Sequence, residues 1–568
     1  MARRVWQHYV LWLALAGLLA AALLWPIVSV VLAGFRDAQG WTTLYVEQVF
    51  TSPSYREALI NSLWLAVAST LGCALVAVPL AVLMNRYDFP GKRLASALLL
   101  VPLILPPFVG AIGLRKLLAA SGGPVTLLLQ RLGLLDAGES IDLLAASPFW
   151  ASAVLIVLHL YPILFLNVQA ALANIDPAME EAARNLGAGT GRILWRITLP
   201  LARPGIFAGG TIVFIWSFTE LGTPLMVGYR EVAAVQVFDG LAGIDTRPTP
   251  YALVAVLMLL SVGAYAFGKL LLGGGTHAMM AKATVAARAR PLGWLRGLLV
   301  LAPFVVVSGL AILPHIGVVL VSLAERWQRT ILPTDWTLGY FAEAVRSRES
   351  GTAIVNSFKY ASLSTILDLV LGTLVAFSVV RSRVPAALKT VLDSLAMLPL
   401  TVPGLVMAFG YLSITREYDF MAPLDPRRDP TLLLVIAYAV RRLPYVVRST
   451  AAGLQQTSVT FEEAARNLGA GPLLTARRVT LPLITANLVA GGLLAFSFAV
   501  LEVSDSLILA FRQPDFPITK AIYFLGERLG DGNEIACALG VMGMLLLAAT
   551  IVLASVLLGR RLGAVFRV

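Results

Sequence analysis

Five ionisable side chains stand inside long apolar stretches, where their chemistry is limited to ion pairing and hydrogen bonding. They occur in FTELGTP, AYAVRRLPY and VLEVSDS, as Glu220, Arg441, Arg442, Glu502 and Asp505. A charge at the centre of a bilayer costs ~2.5–3.5 kcal/mol on insertion scales. We therefore expect an arginine to pair with Glu502 or Asp505 at a gate, and Glu220 to be more exposed to a substrate pathway. The alternative is that the acids extend to the outer lipid headgroups.

Two prolines at matching positions point to the same pathway. Pro106 in VPLILPPFVGAIG corresponds to Pro403 in LPLTVPGLVMAFG. A proline inside a membrane helix frees a backbone carbonyl, which is tolerated where the helix faces protein or a water-filled cavity. The two segments are therefore predicted to be kinked helices that line the pathway, the alternative being kinks that serve packing alone.

No catalytic or nucleotide-binding pattern accompanies these charges. Gly91-Lys92 and Gly268-Lys269 lack both the upstream glycines and the following Ser or Thr of a phosphate-binding loop. The four histidines fall in four different segments, which predicts no metal site. We expect a chain that is not an enzyme and binds no cofactor.

A polar stretch occurs twice, between apolar segments. Residues 180–204 read EEAARNLGAGTGRILWRITLPLARP, and residues 462–486 read EEAARNLGAGPLLTARRVTLPLITA. Gly187 and Gly469 suit the left-handed residue that ends a short helix, so each copy is predicted to form a helix–turn–helix on the membrane surface. Among the residues that the copies share, twelve are candidates for a common role: Glu180, Glu181, Ala182, Ala183, Gly187 and Pro200, matching Glu462, Glu463, Ala464, Ala465, Gly469 and Pro482.

The shared pattern E-A-A-x3-G-x9-I-x-L-P resembles the cytoplasmic signature of permease subunits in binding-protein-dependent ABC importers, with Val479 in place of the usual Ile. The resemblance implies that residues 176–204 and 458–486, the first and second repeated loops, are coupling loops and that the twelve shared residues take part in docking. It also implies two copies of an ATPase subunit that hold ATP and Mg²⁺, and a periplasmic or lipid-anchored binding protein. The implied fold is that of a type I importer permease.

Composition and spacing indicate what positions these residues. The chain has 568 residues, of which 58% are hydrophobic and 13% charged, which excludes a soluble globular protein. The net charge of +12 is concentrated in short loops, as expected for cytoplasmic loops of a membrane protein rather than for nucleic-acid binding. We predict an all-α, multi-pass protein of the bacterial inner membrane, in contact with lipid and with both termini in the cytoplasm. Twelve apolar stretches are long enough to span, at about 9–34, 57–84, 94–118, 147–171, 204–227, 251–273, 295–323, 354–380, 388–413, 430–453, 485–511 and 535–559.

These stretches divide into two parallel repeats of six, which should be related by an axis along the membrane normal. The predicted units are residues 1–273 and 295–568, joined by a cytoplasmic linker at 274–294. Within the importer permeases, TELGTPLMVG, RRLPYVVRS and EVSDSLILA resemble the ferric-iron branch. Thiamine, polyamines, phosphonates or sulfate remain alternative substrates, and an ion-coupled secondary transporter is a more distant alternative.

Overall fold

The computed structural model describes residues 2–37, 40–120, 122–136, 139–140, 147–243, 249–272 and 289–558. Helices dominate these ranges, and this confirms the predicted all-α membrane fold. The strands are short paired pieces in loops: β1 Arg36–Asp37, β2 Gly40–Trp41, β3 Tyr87–Asp88, β4 Arg290–Pro291, β5 Ala324–Arg326 and β6 Asp335–Trp336.

The first half of the chain contains long apolar helices separated by short ones. In order, the α-helices are α1 Ala2–Leu19, α2 Trp25–Ala33, α3 Leu44–Thr51, α4 Pro53–Arg86, α5 Lys92–Leu98, α6 Pro107–Leu117, α7 Pro124–Arg131, α8 Pro148–Ala173, α9 Pro177–Asn185, α10 Thr190–Ile193, α11 Leu199–Phe218, α12 Gly222–Val227, α13 Ala233–Asp239 and α14 Thr249–Leu272. A π-helical turn, Ala20–Leu24, joins α1 to α2 without interrupting the span.

The second half repeats this order. Its α-helices are α15 Trp294–Leu323, α16 Gly339–Arg346, α17 Arg348–Arg381, α18 Ala386–Met397, α19 Gly404–Glu417, α20 Thr431–Gln456, α21 Thr460–Asn467, α22 Pro472–Thr475, α23 Leu481–Val500, α24 Ser504–Leu509, α25 Ile518–Gly526 and α26 Gly532–Leu558. The long helices α4 and α17 correspond, as do α8 and α20, and α11 and α23.

Length and apolar composition identify fewer spanning helices than the twelve predicted. Among the described residues, nine helices are long and apolar enough to cross a membrane, or eleven if two bent helix pairs each count as one span. The helix α20 has 26 residues, a sufficient length, but carries three arginines at positions 441, 442 and 448. A count of twelve is therefore not confirmed.

The predicted third and ninth spans are broken, not merely kinked. Residues 92–104 meet α6 at 96°, and residues 386–400 meet α19 at 102°. Pro106 and Pro403 stand at the two breaks in an extended conformation, with ψ of 135° and 137°. At the first break a second proline follows, and a residue before proline is driven out of the helical region. At the first break, the two successive prolines therefore account for a change of direction that is sharper than a kink.

The two halves are interlocked through their first spans. The α1–α2 span packs on the second half, where Tyr411 Oη donates to the carbonyl of Ala22 (2.9 Å). Conversely, α15 packs on α6, and a Cβ at Gly113 would lie 2.3 Å from the backbone nitrogen of Val318. Glycine is required at this crossing because the two backbones touch. Each unit is thus completed by a helix from the other.

The domain boundaries remain a prediction. Residues 274–288 of the linker lie outside the described residues. Its last part is described: β4 pairs in parallel with β3, and Leu292 N donates to the carbonyl of Asp88 (3.0 Å). The linker therefore returns to the loop that follows α4 before the second half begins.

Candidate functional site

The first repeated loop has the helix start and the glycine turn that its sequence predicts. The Asp176 carboxylate accepts from Ala178 N (2.9 Å), which caps α9. At the other end Gly187 has φ of +80° and donates to the carbonyl of Arg184 (2.8 Å). The next residue donates to the carbonyl of Ala183 (2.9 Å), which completes a Schellman turn.

The second repeated loop has the same construction. Its helix α21 begins after Ser458, whose hydroxyl accepts from Thr460 N (3.3 Å). Gly469 has φ of +85°, and Ala470 N donates to the carbonyl of Ala465 (3.0 Å). The two loops therefore present equivalent turns, because each glycine adopts a conformation that other residues rarely reach.

The first glutamate of each copy faces inward. Glu180 accepts from Thr198 Oγ1 (2.6 Å) and from Arg86 (3.2 Å), at the end of α4. Burial alone would raise the pKa of Glu180, but the Thr198 hydrogen bond and the Arg86 charge outweigh it and lower that pKa. Glu462 is 1% exposed and accepts from Arg381 Nε (3.1 Å), at the end of α17. These glutamates attach the loops to the second span of each unit.

The outward face of each loop combines acid with exposed leucine. Glu181 and Glu463 are exposed, and so are Ala182 and Ala464. Leu186 and Leu468, each directly before the turn glycine, are both 89% exposed. Because the same highly exposed leucine recurs at both tips, each tip is a candidate interaction site. Sequence reasoning passed over both leucines, although their identical place before the glycine in each copy was visible.

Pro200 and Pro482 lie where each loop enters the membrane. Each is the second residue of its helix, α11 or α23, and a five-residue π-helical turn precedes that helix in both copies. Proline removes one backbone donor from the helical ladder, and a π-helical turn accommodates such an interruption. The end of the loop and the span that follows it consequently form one continuous helix, Thr190–Phe218 in the first half.

A cavity of about 300 Å³ lies between the two halves. Both broken spans reach it, through Pro106 and Pro403. The acids, arginines and histidine that line it are His159, Glu220, Arg441, Arg442, Arg448 and Glu502. The structure thus brings together the predicted pathway residues, with Asp505 packed directly behind them.

The second half contributes two buried acids and two partly buried arginines, which together form the arginine–carboxylate cluster. Arg441 Nε donates to Asp505 Oδ2 (3.0 Å) and lies 3.5 Å from Glu502 Oε1. Arg442 Nη2 pairs with Glu502. A Cβ at Gly404 would lie 2.3 Å from Arg441 Nη2, so the guanidinium packs directly on the broken ninth span. This is the ion pairing that the sequence predicts.

The first half has a different arrangement. Glu220 is partly exposed and accepts from Thr223 N and Thr223 Oγ1 (both 3.1 Å). At the position equivalent to Arg441, His159 Nδ1 donates to the carbonyl of Pro102 (2.9 Å). One wall of the cavity therefore carries paired arginines, whereas the other carries a carboxylate held by hydroxyl and amide donors.

Glu220 and Glu502 lie in breaks, not in continuous spans as predicted. The fifth span ends at Phe218 and resumes as α12, and the eleventh ends at Val500 and resumes as α24. The segments after the breaks are fastened to α4 and α17: Ser62 Oγ accepts from Ala233 N (2.9 Å), and Ser357 Oγ accepts from Ile518 N (2.7 Å). A carboxylate in a break can accept backbone hydrogen bonds from the next short helix, which a continuous span would not leave free.

Two repeated units that enclose a charged cavity in an apolar helical body, with two matching polar loops at one end, define a multi-pass membrane transport protein. The family model for the binding-protein-dependent transport system inner membrane component matches residues 77–272 and 368–566, more than half of the chain. The chain belongs to this family and is the permease component of a binding-protein-dependent ABC importer.

Relatives of named function cover much of the chain. The ferric transport system permease protein FbpB of Actinobacillus pleuropneumoniae is 24% identical over 93% of this chain and 75% of its own length. The molybdenum transport system permease protein ModB of Mycobacterium bovis is 30% identical over 44% of this chain and 88% of its own. A crystal structure of a bacterial ABC transporter involved in alginate import matches 48% of this chain and 97% of its own at 17% identity, with a TM-score of 0.42.

Proposed function

We propose that the two repeated loops are the docking points for two ATPase subunits, which hold ATP and Mg²⁺ while this chain binds no cofactor. The observation that carries the proposal is the pair of leucines, Leu186 and Leu468, exposed at equivalent tips. Glu180 and Glu462 fix the loops to α4 and α17, so a displacement of a tip is passed to the spans. ATP binding by the partners can then shift the cavity between inward and outward states, because docking favours one of them.

We propose that both repeated loops and both termini lie in the cytoplasm, and that a periplasmic or lipid-anchored binding protein delivers cargo on the opposite side. Basic residues support this orientation. Arg86, Lys92 and Arg93 flank the loop after α4, while Arg477 and Arg478 lie in the second repeated loop. Such an excess of Lys and Arg is typical of short cytoplasmic loops. The membrane is then the bacterial inner membrane.

We propose ferric iron as the cargo. The support is the similarity to the ferric permease of Actinobacillus pleuropneumoniae, which extends over 93% of this chain. A second candidate, an anionic cargo, is favoured by Arg448, which lines the cavity outside the arginine–carboxylate cluster. The molybdenum permease relative of Mycobacterium bovis is consistent with the second candidate.

Docking is tested by replacing both tip leucines with glutamate, Leu186→Glu and Leu468→Glu, in one chain. We expect the variant to insert normally and to lose capture of ABC ATPase subunits from its native membranes by at least ~10-fold, because the apolar contact is replaced by charge. Leu529→Glu is the matched control, since Leu529 is 94% exposed but lies outside both loops. Undiminished capture by the double variant would exclude the leucines as the docking contact.

Cargo is tested by uptake into cells that lack their own iron and molybdenum importers and express this chain with its partner subunits. Accumulation of labelled ferric iron, with no accumulation of labelled molybdenum, is the expected result. The reverse preference would replace the iron proposal with the anionic candidate. Abolition of uptake by the leucine double variant confirms that the measured transport depends on this chain.

A further inference from the structure

A buried carboxylate outside the arginine–carboxylate cluster has no assigned role. Asp368 lies in the middle of α17 and is 1% exposed. Neither of its oxygens accepts a hydrogen bond from any described residue. It borders a second cavity of about 330 Å³ whose other lining residues are almost all apolar. Burying a carboxylate without a hydrogen-bond or ionic partner costs folding free energy. We therefore expect Asp368 to have a partner in another state of the protein.

The helix geometry identifies Arg442 as the cation next to Asp368. The helices α17 and α20 run in parallel and touch where a Cβ at Gly372 would meet Val446 Cγ1 at 2.8 Å. Asp368 is one helical turn outward of Gly372, and Arg442 is one turn outward of Val446, so both lie at the same interface.

Hydrogen bonds at both ends of the helix pair confirm that Asp368 and Arg442 have the same depth. At the inner end, Arg381 Nη2 donates to the carbonyl of Leu454 (2.8 Å). Counting ~1.5 Å per residue outward from this contact places Asp368 at about 20 Å and Arg442 at about 18 Å. At the outer end, Lys359 Nζ donates to Thr431 Oγ1 (3.1 Å). Counting inward from there gives about 14 Å and 17 Å, so the levels agree within one turn.

The Arg442 guanidinium has a buried hydrogen-bond donor, Nε, without an acceptor among the described residues. Its Nη2 pairs with Glu502, and the guanidinium lies 5.7 Å from the centre of the Phe498 ring. Glu502 stands in the break after α23, whereas Asp368 belongs to the continuous helix α17. A movement of the break relative to α17 and α20 would therefore separate Arg442 from Glu502 but not from Asp368.

We propose that Asp368 is a second carboxylate partner of Arg442, which accepts the guanidinium when Glu502 moves away during transport. Without it, each opening of the arginine–carboxylate cluster would leave a cation buried without a counter-charge, a state that costs much more than exchanging one partner for another. Asp368 thus acts as a positioning residue that lowers the cost of opening. This exchange of partners is confined to the second half. In the first half, Cys73 of α4 is equivalent to Asp368, and Leu160 of α8 is equivalent to Arg442.

The exchange of carboxylate partners at Arg442 is tested without cargo or ATPase. Its failure is therefore distinguishable from a failure of the proposed function. Only the claim that the exchange occurs during transport rests on the proposed function. The purified full chain in lipid nanodiscs is unfolded by heat as wild type, Asp368→Asn, Glu502→Gln and the double variant. We expect Asp368→Asn alone to leave the melting temperature unchanged or raised, because it removes an unpaired carboxylate. The double variant should lose more than the sum of the single losses, since Arg442 then has neither carboxylate.

The matched control is Glu220→Gln, which changes the repeat-equivalent acid that has no arginine among its described partners. Its effect should add to that of Asp368→Asn without an excess. If both pairs are additive, or if Asp368→Asn alone is destabilising, Asp368 has a structural role only and the proposal is wrong.

A second comparison remains available if the double variant does not fold. In an Arg442→Met background, Asp368→Asn should raise the melting temperature by more than it does in the wild-type chain, because no arginine then remains next to the Asp368 carboxylate. An equal or smaller change would overturn the proposal. With labelled cargo, Asp368→Asn should slow transport while Asp368→Glu, which retains the carboxylate, restores most of the rate; equal rates for both would also overturn it.

Discussion

The two repeated loops are held by ion pairs of unequal burial, so the same substitution should have unequal effects. The Arg381 and Glu462 side chains are 9% and 2% exposed, against 14% and 18% for Arg86 and Glu180. Removing the carboxylate from a buried pair costs ~3–5 kcal/mol. We take ~3 kcal/mol for Glu462→Gln, because Arg381 still donates to the carbonyls of Leu454 (2.8 Å) and Thr457 (2.6 Å).

The corresponding change in the first loop should cost less. Glu180→Gln weakens charge-assisted hydrogen bonds worth ~1.5–3 kcal/mol. The lower end, ~1.5 kcal/mol, applies because water reaches this pair and Thr198 remains a donor to the glutamine oxygen. The difference of about 1.5 kcal/mol corresponds to slightly more than tenfold in the equilibrium for local opening of the loop.

Hydrogen exchange measures this opening directly. The reporters are matched amides: Leu186 N donates to the carbonyl of Ala182, and Leu468 N to that of Ala464, both at 3.1 Å. We expect Glu462→Gln to accelerate exchange at Leu468 about tenfold more than Glu180→Gln accelerates it at Leu186.

The exposed neighbours provide the controls. Glu181→Gln and Glu463→Gln should leave both exchange rates within about twofold of wild type, because surface substitutions away from a buried pair change stability by less than ~0.5 kcal/mol. Equal acceleration in the two loops, or a larger effect in the first, would refute the claim that the buried pairs determine how firmly the loops are attached.

Two further outcomes are expected. Because the pKa of Glu180 is lowered in the folded loop, its contribution is complete above the unfolded glutamate pKa of ~4.3 and is lost as pH falls through the folded value. Exchange at Leu186, corrected for intrinsic rates, should therefore stay constant from neutral pH down to that range and rise only below it; a rise at higher pH would contradict this assignment. For orientation, a cysteine at Asp136 should react only with a membrane-impermeant reagent added outside, and one at Ala286 only from the cytoplasm, with reversed labelling excluding the proposed topology.

Local features were predictable where a single residue determines the backbone. Gly187 and Gly469 end their helices in the left-handed conformation because the same short motif surrounds both. The pairing of Arg441 and Arg442 with Glu502 and Asp505 also followed, since buried charges in an apolar chain have few possible partners. Such predictions need only nearby residues and the cost of burying charge.

Features that depend on tertiary packing were not predictable. The breaks at Glu220 and Glu502 interrupt stretches that are apolar enough to be continuous spans, and hydroxyls on α4 and α17 bind the chain farther along, at Ala233 and Ile518. Asp368 gave no signal in the sequence, because a lone acid in an apolar helix cannot be assigned to Arg442 without the register of α17 against α20. The interlocking of the first spans likewise depends on glycine contacts between helices far apart in the chain.

The two halves share the residues that fix the helices in place but differ in some of the charged residues around the cavity. Positions that hold the frame are the same in both, as with Ser62 and Ser357, which accept from equivalent segments. Some positions that face the cavity differ: His159 stands where the second half has Arg441, whereas Glu220 and Glu502 are equivalent acids. A symmetric cavity would let cargo and ATP-driven motion act equally on both walls. Because the arginine–carboxylate cluster is confined to one wall, the opening that we propose breaks or exchanges ion pairs on that wall alone. If the exchange proposed for Arg442 accompanies opening, the energetic barrier to opening is located in the second half, whichever of the two loops is displaced.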